Sequence, residues 1–183
     1  MAEQIIASYI VNDDNNGFYI EANVDRKLAQ IFAPIVTADL TKIRVKVHRA
    51  NTHGIVSWAI KRVDGDIKPV DEDIATGSMD ADLITTSTSG SWYYVDMSSV
   101  QLDLGTVYGL VLHAPNEEAG DKITWRADWG IIGYGYILGA ANDGTTWTMF
   151  ADKAAMFEVH GTPAGVAGGQ GGPAALLVAQ GVI

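Results

Sequence analysis

The 183-residue chain contains no cysteine. That excludes disulfide staples, thiolate metal sites and thiol nucleophiles, so any chemistry would rest on oxygen or imidazole groups. Basic residues are also scarce: 12 Lys and Arg stand against 22 Asp and Glu, a formal net charge of -10. Phosphate backbones and anionic lipid surfaces are held by clustered cations, so neither nucleic acid nor a membrane is an expected partner. Long apolar runs are missing too. Residues 174–179 form the longest in the tail, far short of the about eighteen that a spanning helix needs. The opening Met-Ala-Glu-Gln is acidic and leads into an apolar stretch broken at Ser8 and Asn12, unlike a secretory signal. A soluble protein whose chain starts in a cytoplasm is the expectation.

Helical periodicity is the last absence. No segment repeats apolar residues at three and four positions for long enough to make a helix, although 149–156 would fit a turn or two. Period-two alternation is abundant instead. In 40–48, Ile43, Val45 and Val47 alternate with Lys42, Arg44, Lys46 and His48. In 55–62, Val56, Trp58 and Ile60 alternate with Ser57, Ala59 and Lys61, and the turn residues Asn51, Thr52, His53 and Gly54 lie between the two runs. The two runs read as an antiparallel hairpin. Further strands are expected at 4–11, 18–21, 27–32, 92–97, 106–113, 122–129, 133–138 and 156–160.

Eight to ten short strands in one chain of this size predict an all-β fold, an antiparallel two-sheet jelly-roll sandwich, with an open barrel as the alternative. Long loops are expected at 63–82 and 87–90, the first holding much of the acidic excess at Asp64, Asp66, Asp71, Glu72, Asp73, Asp80 and Asp82. The sandwich is assigned to 1–160 and a separate segment to 161–183. That segment has no charged side chain, begins rich in Gly, Ala and Pro, and ends in Leu176, Leu177, Val178, Val182 and Ile183. A flexible linker carrying an apolar arm is expected to dock, within the chain or onto a partner.

Motifs for chemistry are absent. His48, His53, His113 and His160 lack metal-ligand spacing and read as strand-end or turn residues, and neither Gly-x-Ser-x-Gly nor a phosphate loop occurs. Gly133, Gly135 and Gly139 loosely follow a dinucleotide fingerprint, yet Tyr134, Tyr136, Ile137 and Leu138 between them read as strand. Asn12, Asp14, Asn16 and Gly17 carry the spacing that opens an EF-hand loop, but Asn23 stands where the bidentate acid belongs. A polar turn is the simpler account. Paired acids for an acid-based hydrolase have no supporting motif, because the separation they need across a cleft is not a sequence property. No metal, no cofactor and no enzymatic activity are expected.

Aromatics are concentrated: eleven of sixteen fall between Trp92 and Phe157. Trp92 and Tyr94 share one strand face, Tyr93 and Val95 the other, and Trp125 and Trp129 also share a face. An outward row would stack on sugar rings or anchor a protein interface. Trp92, Trp129, Tyr134 and Tyr136 are the candidate surface.

The ordered marks Gln30 to Phe32, Pro69, Ala75 to Gly77, Trp92, Leu104 to Leu112, Ile123 to Trp125, Tyr136 to Gly139, Asp143 to Trp147 and Phe157 to Gly161, with the two alternating runs, resemble a known pattern. It is that of the non-catalytic jelly-roll sandwich domains of tailed-phage virion proteins and some microbial surface proteins. The resemblance covers about residues 28–161 and brings no catalytic set. Surface proteins of this kind usually carry a signal peptide and further domains, so the resemblance favours a phage component. It implies a capsid decoration, or cement, protein made in the host cytoplasm and placed on the virion surface. Such a protein would be a homotrimer that binds the major capsid protein, with residues 176–178 and 182–183 reaching a neighbour. The alternative is a carbohydrate-binding module on a fibre or surface protein, with Trp129, Tyr134 and Tyr136, or the Trp92 face, as its platform.

Overall fold

The computed structural model describes residues 1–11, 16–21, 26–51, 54–114, 122–130, 137–141 and 145–165. Alternating apolar side chains drive the architecture, because a strand with one greasy face must bury it against a second layer. Among the described residues fourteen strands are formed: β1 (Gln4–Tyr9), β2 (Asn16–Glu21), β3 (Lys27–Phe32), β4 (Ala38–Ala50), β5 (Ile55–Val63), β6 (Pro69–Asp80), β7 (Ser91–Asp96), β8 (Gln101–Leu102), β9 (Tyr108–His113), β10 (Lys122–Trp129), β11 (Ile137–Ala141), β12 (Trp147–Phe150), β13 (Lys153–Ala155) and β14 (Phe157–Pro163). A 3-10 turn at Ala81–Leu83 is the one helical element among the described residues.

The strands form a two-sheet antiparallel β-sandwich, jelly-roll-like in character. The larger sheet runs β1-β14-β4-β10-β13, with β2 added to β10 and β7 and β8 to β4. The smaller runs β12-β11-β3-β9-β5-β6. Between them lies a core in which Trp58 of the smaller sheet meets Trp125 of the larger, T-shaped, with centroids 5.0 Å apart. Phe32 likewise reaches across to Phe157 at 5.9 Å. Such pairs contribute about 0.5–1.5 kcal/mol each beyond their buried area.

Three expectations are corrected. The runs at β4 and β5 do not form a hairpin: β4 belongs to the larger sheet and β5 to the smaller, where it pairs with β6 and β9. Both bury one face, and a turn-rich connection serves an arch between layers as readily as a hairpin within one. The acidic stretch expected as a loop contains β6, twelve residues long. It is an edge strand, so Ala75 points into the core while acids such as Glu72 and Asp73 stay in solvent. Residues 149–156 make no helix but belong to β12 and β13, joined by a turn at 151–152.

Two devices tie the layers together. Fully buried Gln30 of the smaller sheet accepts a hydrogen bond from the Ala155 amide of the larger at 2.6 Å and donates to the Ile31 carbonyl at 2.9 Å. Along one margin, Ser98 N–H donates to the Thr76 carbonyl and Thr76 N–H to the Ser98 hydroxyl, both at 2.8 Å. Gly77 allows this closure, since a β-carbon there would strike the Asp96 carbonyl and the Met97 sulfur.

At Met156 the larger sheet forks. The preceding β13 pairs with β10, and the following β14 pairs with β4. Met156 N–H donates to the Arg126 carbonyl at 2.8 Å. Its own carbonyl accepts from Lys46 N–H at 3.3 Å and from the Trp125 indole at 2.9 Å.

Replacing Gln30 with Leu keeps the bulk but strands the buried Ala155 amide. It is expected to cost about 1–3 kcal/mol in urea unfolding. An unchanged midpoint would mean that the amide finds another partner.

Candidate functional site

The outer face of the larger sheet carries the richest arrangement of polar and aromatic groups. Ile43, Val45 and Val47 of β4 face the core, so Lys42, Arg44 and Lys46 face outward. Register then assigns their neighbours. Arg44 lies between Glu158 of β14 and Tyr94 of β7, Lys42 lies between His160 and Asp96, and Lys46 stands opposite Trp92.

Contacts knit these rows together. The Arg44 guanidinium bonds Glu158 Oε1 at 3.1 Å and lies 4.7 Å from the Trp92 ring centre and 5.4 Å from that of Tyr94. Lys42 sits 5.1 Å from the Tyr94 ring centre and pairs with Glu3 Oε1 at 2.7 Å. Thr41 Oγ1 donates to the other Glu3 oxygen at 2.8 Å. Buried His160 meets Glu158 Oε2 through Nε2 at 3.0 Å and stands edge-on to Tyr94. The Lys42 ammonium, then the Thr41 hydroxyl, hold the Glu3 carboxyl below its ordinary pKa, and Glu3 in turn raises that of Lys42. The result is a flat, cross-braced surface on which Tyr94 remains 56% exposed.

Further along β4, His48 has no hydrogen-bond partner for Nδ1 among the described residues. Burial, then the nearby Arg126 charge, push its pKa down, so the ring is neutral at pH 7. Arg126 is itself buried under the loop before β7, where it donates to the Thr88 carbonyl at 3.0 Å.

Of the expected aromatic surface, Trp92 and Trp129 fall in separate clusters. Trp92 belongs to the face just described, partly covered by Arg44. Trp129, 44% exposed, stands at the end of β10 against Phe18 at 5.7 Å, with the Lys153 ammonium 5.2 Å from its ring centre. Phe18 continues this second cluster to Phe150 at 5.4 Å. Tyr134 and Tyr136 lie outside the described residues, as do the arm positions Leu176, Leu177, Val178, Val182 and Ile183, His53, and residues 12–15 of the EF-hand-like loop.

A third feature is a depression of 230 Å³ on the outer side of the smaller sheet, walled by Lys27, Ser57, Lys61, Asp73 and His113. Its polar groups serve the sheet. Lys61 pairs with Asp73 at 2.6 Å, and the Ser57 hydroxyl donates to the His113 carbonyl rather than to its ring, which is not a nucleophile–base pair. Among the described residues, no group of three or more His, Asp or Glu could hold a metal ion, and no helix is long and apolar enough to cross a membrane.

Outward placement of Trp92 and Tyr94 follows from alternation alone. Glu3, Arg44, Glu158 and His160 were not legible as a group, because their meeting depends on pairing between the first, fourth, seventh and last strands. His160, expected at a strand end, is interior to β14. The period-two spacing of Glu158 and His160 is the one local signal that both face the same way.

Since the folded pKa of Glu3 is lowered, its ion pair contributes stability at neutral pH that is lost as pH falls through the lowered value. Glu3→Gln is therefore expected to lower Tm at pH 7, and the gap from the parent protein is expected to narrow as pH falls below the ordinary glutamate pKa of about 4.3 and to close once pH has passed the lowered value. A gap independent of pH in thermal scans would assign the loss to packing instead. No protein-family model matches the chain, and no curated protein matches it.

Proposed function

We propose that the chain is a non-catalytic structural protein of a phage virion, a capsid decoration protein that binds the major capsid protein and braces neighbouring shell subunits. The observation that carries this reading is the outer face of the larger sheet. Its cations are held by acids and aromatic rings, so little side-chain entropy is lost when a broad partner covers it. Arg, Trp and Tyr are the residues that anchor protein interfaces, and Arg44, Trp92 and Tyr94 stand together on β4 and its marginal neighbour β7. Resemblance to virion sandwich domains supplies the kind of partner. Action is mechanical: contact area across subunit boundaries, with stabilisation of the shell by mass action.

The test is sedimentation of the purified protein with shells of the virus that encodes it. Co-sedimentation at a fixed ratio to shell subunits is expected, together with a higher temperature of shell disruption. The Arg44→Ala/Tyr94→Ala double variant is expected to bind at least about tenfold more weakly. Shells that leave the protein in the supernatant would overturn the assignment.

A second reading, a carbohydrate-binding module, is favoured by exposed Tyr94 beside Trp92 and by exposed Trp129 in its own cluster. It expects retention on a glycan array by the full chain and loss of that retention in Trp92→Ala or Trp129→Ala. An array that retains nothing would remove it.

A further inference from the structure

One end of the sandwich is built from apolar loops. The connection between β3 and β4, residues 33–37, and the turn before β9, residues 103–107, are joined by two hydrogen bonds. Gly105 N–H donates to the Pro34 carbonyl at 2.9 Å, and Leu104 N–H to Thr37 Oγ1 at 3.0 Å. Ile35 N–H is taken by the Ile6 carbonyl of β1 at 2.9 Å. With these backbone groups satisfied, the side chains are left outward: Ile35 is 73% exposed, Leu104 63% and Val107 38%. Asp103 is the single charged residue in the two loops. Loops at the end of a sandwich are ordinarily polar, and adjoining exposed aliphatic side chains mark a surface that something covers.

The end of β14 leads to the same place. Ala164 N–H donates to the Thr37 carbonyl at 3.0 Å, on the residue whose hydroxyl holds Leu104. Gly165 follows beside Met1, itself 74% exposed: a β-carbon on that glycine would lie 3.9 Å from the Met1 methyl. Residues 166–183, outside the described residues, therefore continue from a point beside Met1, one residue past the bond to the loop that carries Ile35 and holds Leu104. Their first ten positions, 166–175, hold four glycines and no charge, and the last eight hold Leu176, Leu177, Val178, Val182 and Ile183. A flexible ten-residue linker has a root-mean-square span of about 16–19 Å. That reach covers the end of the sandwich, and a tether this short gives the arm an effective concentration on the order of millimolar at its own end face.

We propose that in the free protein residues 176–183 seat on the end face formed by Ile35, Leu104, Val107 and Met1 of the same chain. The occupant matches the seat in chemistry, since the side chains of both are apolar or uncharged, and it is the apolar segment tethered nearest. This goes beyond the virion assignment and does not rest on it.

Hydrogen exchange of the full chain, read by mass spectrometry at several protein concentrations, tests it. Amides of 176–183 are expected to exchange at least about tenfold more slowly than in an unstructured peptide, independently of concentration. Ile35→Ser/Leu104→Ser is expected to remove that protection while leaving the amides of β4 and β10 unchanged. Both residues are exposed, so the sandwich has no need of them. Leu177→Ser/Val182→Ser, altered only in the arm, is expected to do the same. Exchange of 176–183 at the unstructured rate in the parent chain would overturn the proposal, as would protection that survives the Ile35/Leu104 change. Protection that disappears on dilution would also overturn it, because the seat would then be filled by another copy's arm.

Discussion

Both backbone groups of Met156 are occupied where three strands meet, and the form of the larger sheet depends on that meeting. Met156, through its bond to the Arg126 carbonyl, extends the pairing of β13 with β10. Without its carbonyl facing Lys46 and the Trp125 indole, β4 would have an unpaired stretch between its contacts with β14 and β10. Buried backbone groups are rarely left unpaired, so the fork is held by hydrogen-bond accounting as much as by packing. Trp125, oriented by this carbonyl, presents its ring to Trp58 in the opposite layer. One hydrogen bond thus links the branching of one sheet to its contact with the other.

Charge is distributed with similar economy. In a chain of net charge -10, three cations project from one face of the central strand, and two of them, Lys42 and Arg44, are bound by carboxylates, Glu3 just ahead of β1 and Glu158 on β14. A single exposed ion pair contributes about 0–1 kcal/mol. A network that shares partners, with rings holding the cations in place, does more to limit motion than to add stability.

Strand positions were largely legible because period-two alternation is a local property: Lys27–Phe32 and Lys122–Trp129 match their expected bounds. Partnership was not. The patterns of β4 and β5 are equally consistent with a hairpin and with an arch between layers, since each specifies only that one side is buried. Edge strand β6 escaped notice because its acids obscured Ile74, Ala75 and Met79, which pack inward. The same reasoning separates Trp92, whose outward aim follows from its neighbours, from the Arg44–Glu158 pair, whose members lie more than a hundred positions apart and meet only through register.

The long separation between β4 and its last partner has a consequence during synthesis. One margin of β4 is met by β7, but the other waits for β10 and finally β14, which ends at Pro163. At the usual 5–20 residues per second, the ribosome takes roughly 6–23 s to travel from the end of β4 to the end of β14. Through that interval a thirteen-residue strand that carries Leu40, Ile43, Val45 and Val47 has an unfilled margin, the arrangement most prone to pair with a nascent neighbour on the same message. Lys42 and Arg44, which later bind Glu3, Glu158 and the rings of β7, are then bare charges along that strand, with Lys46 beside them. They repel an identical strand on the next polysome chain until β14 emerges to claim the place.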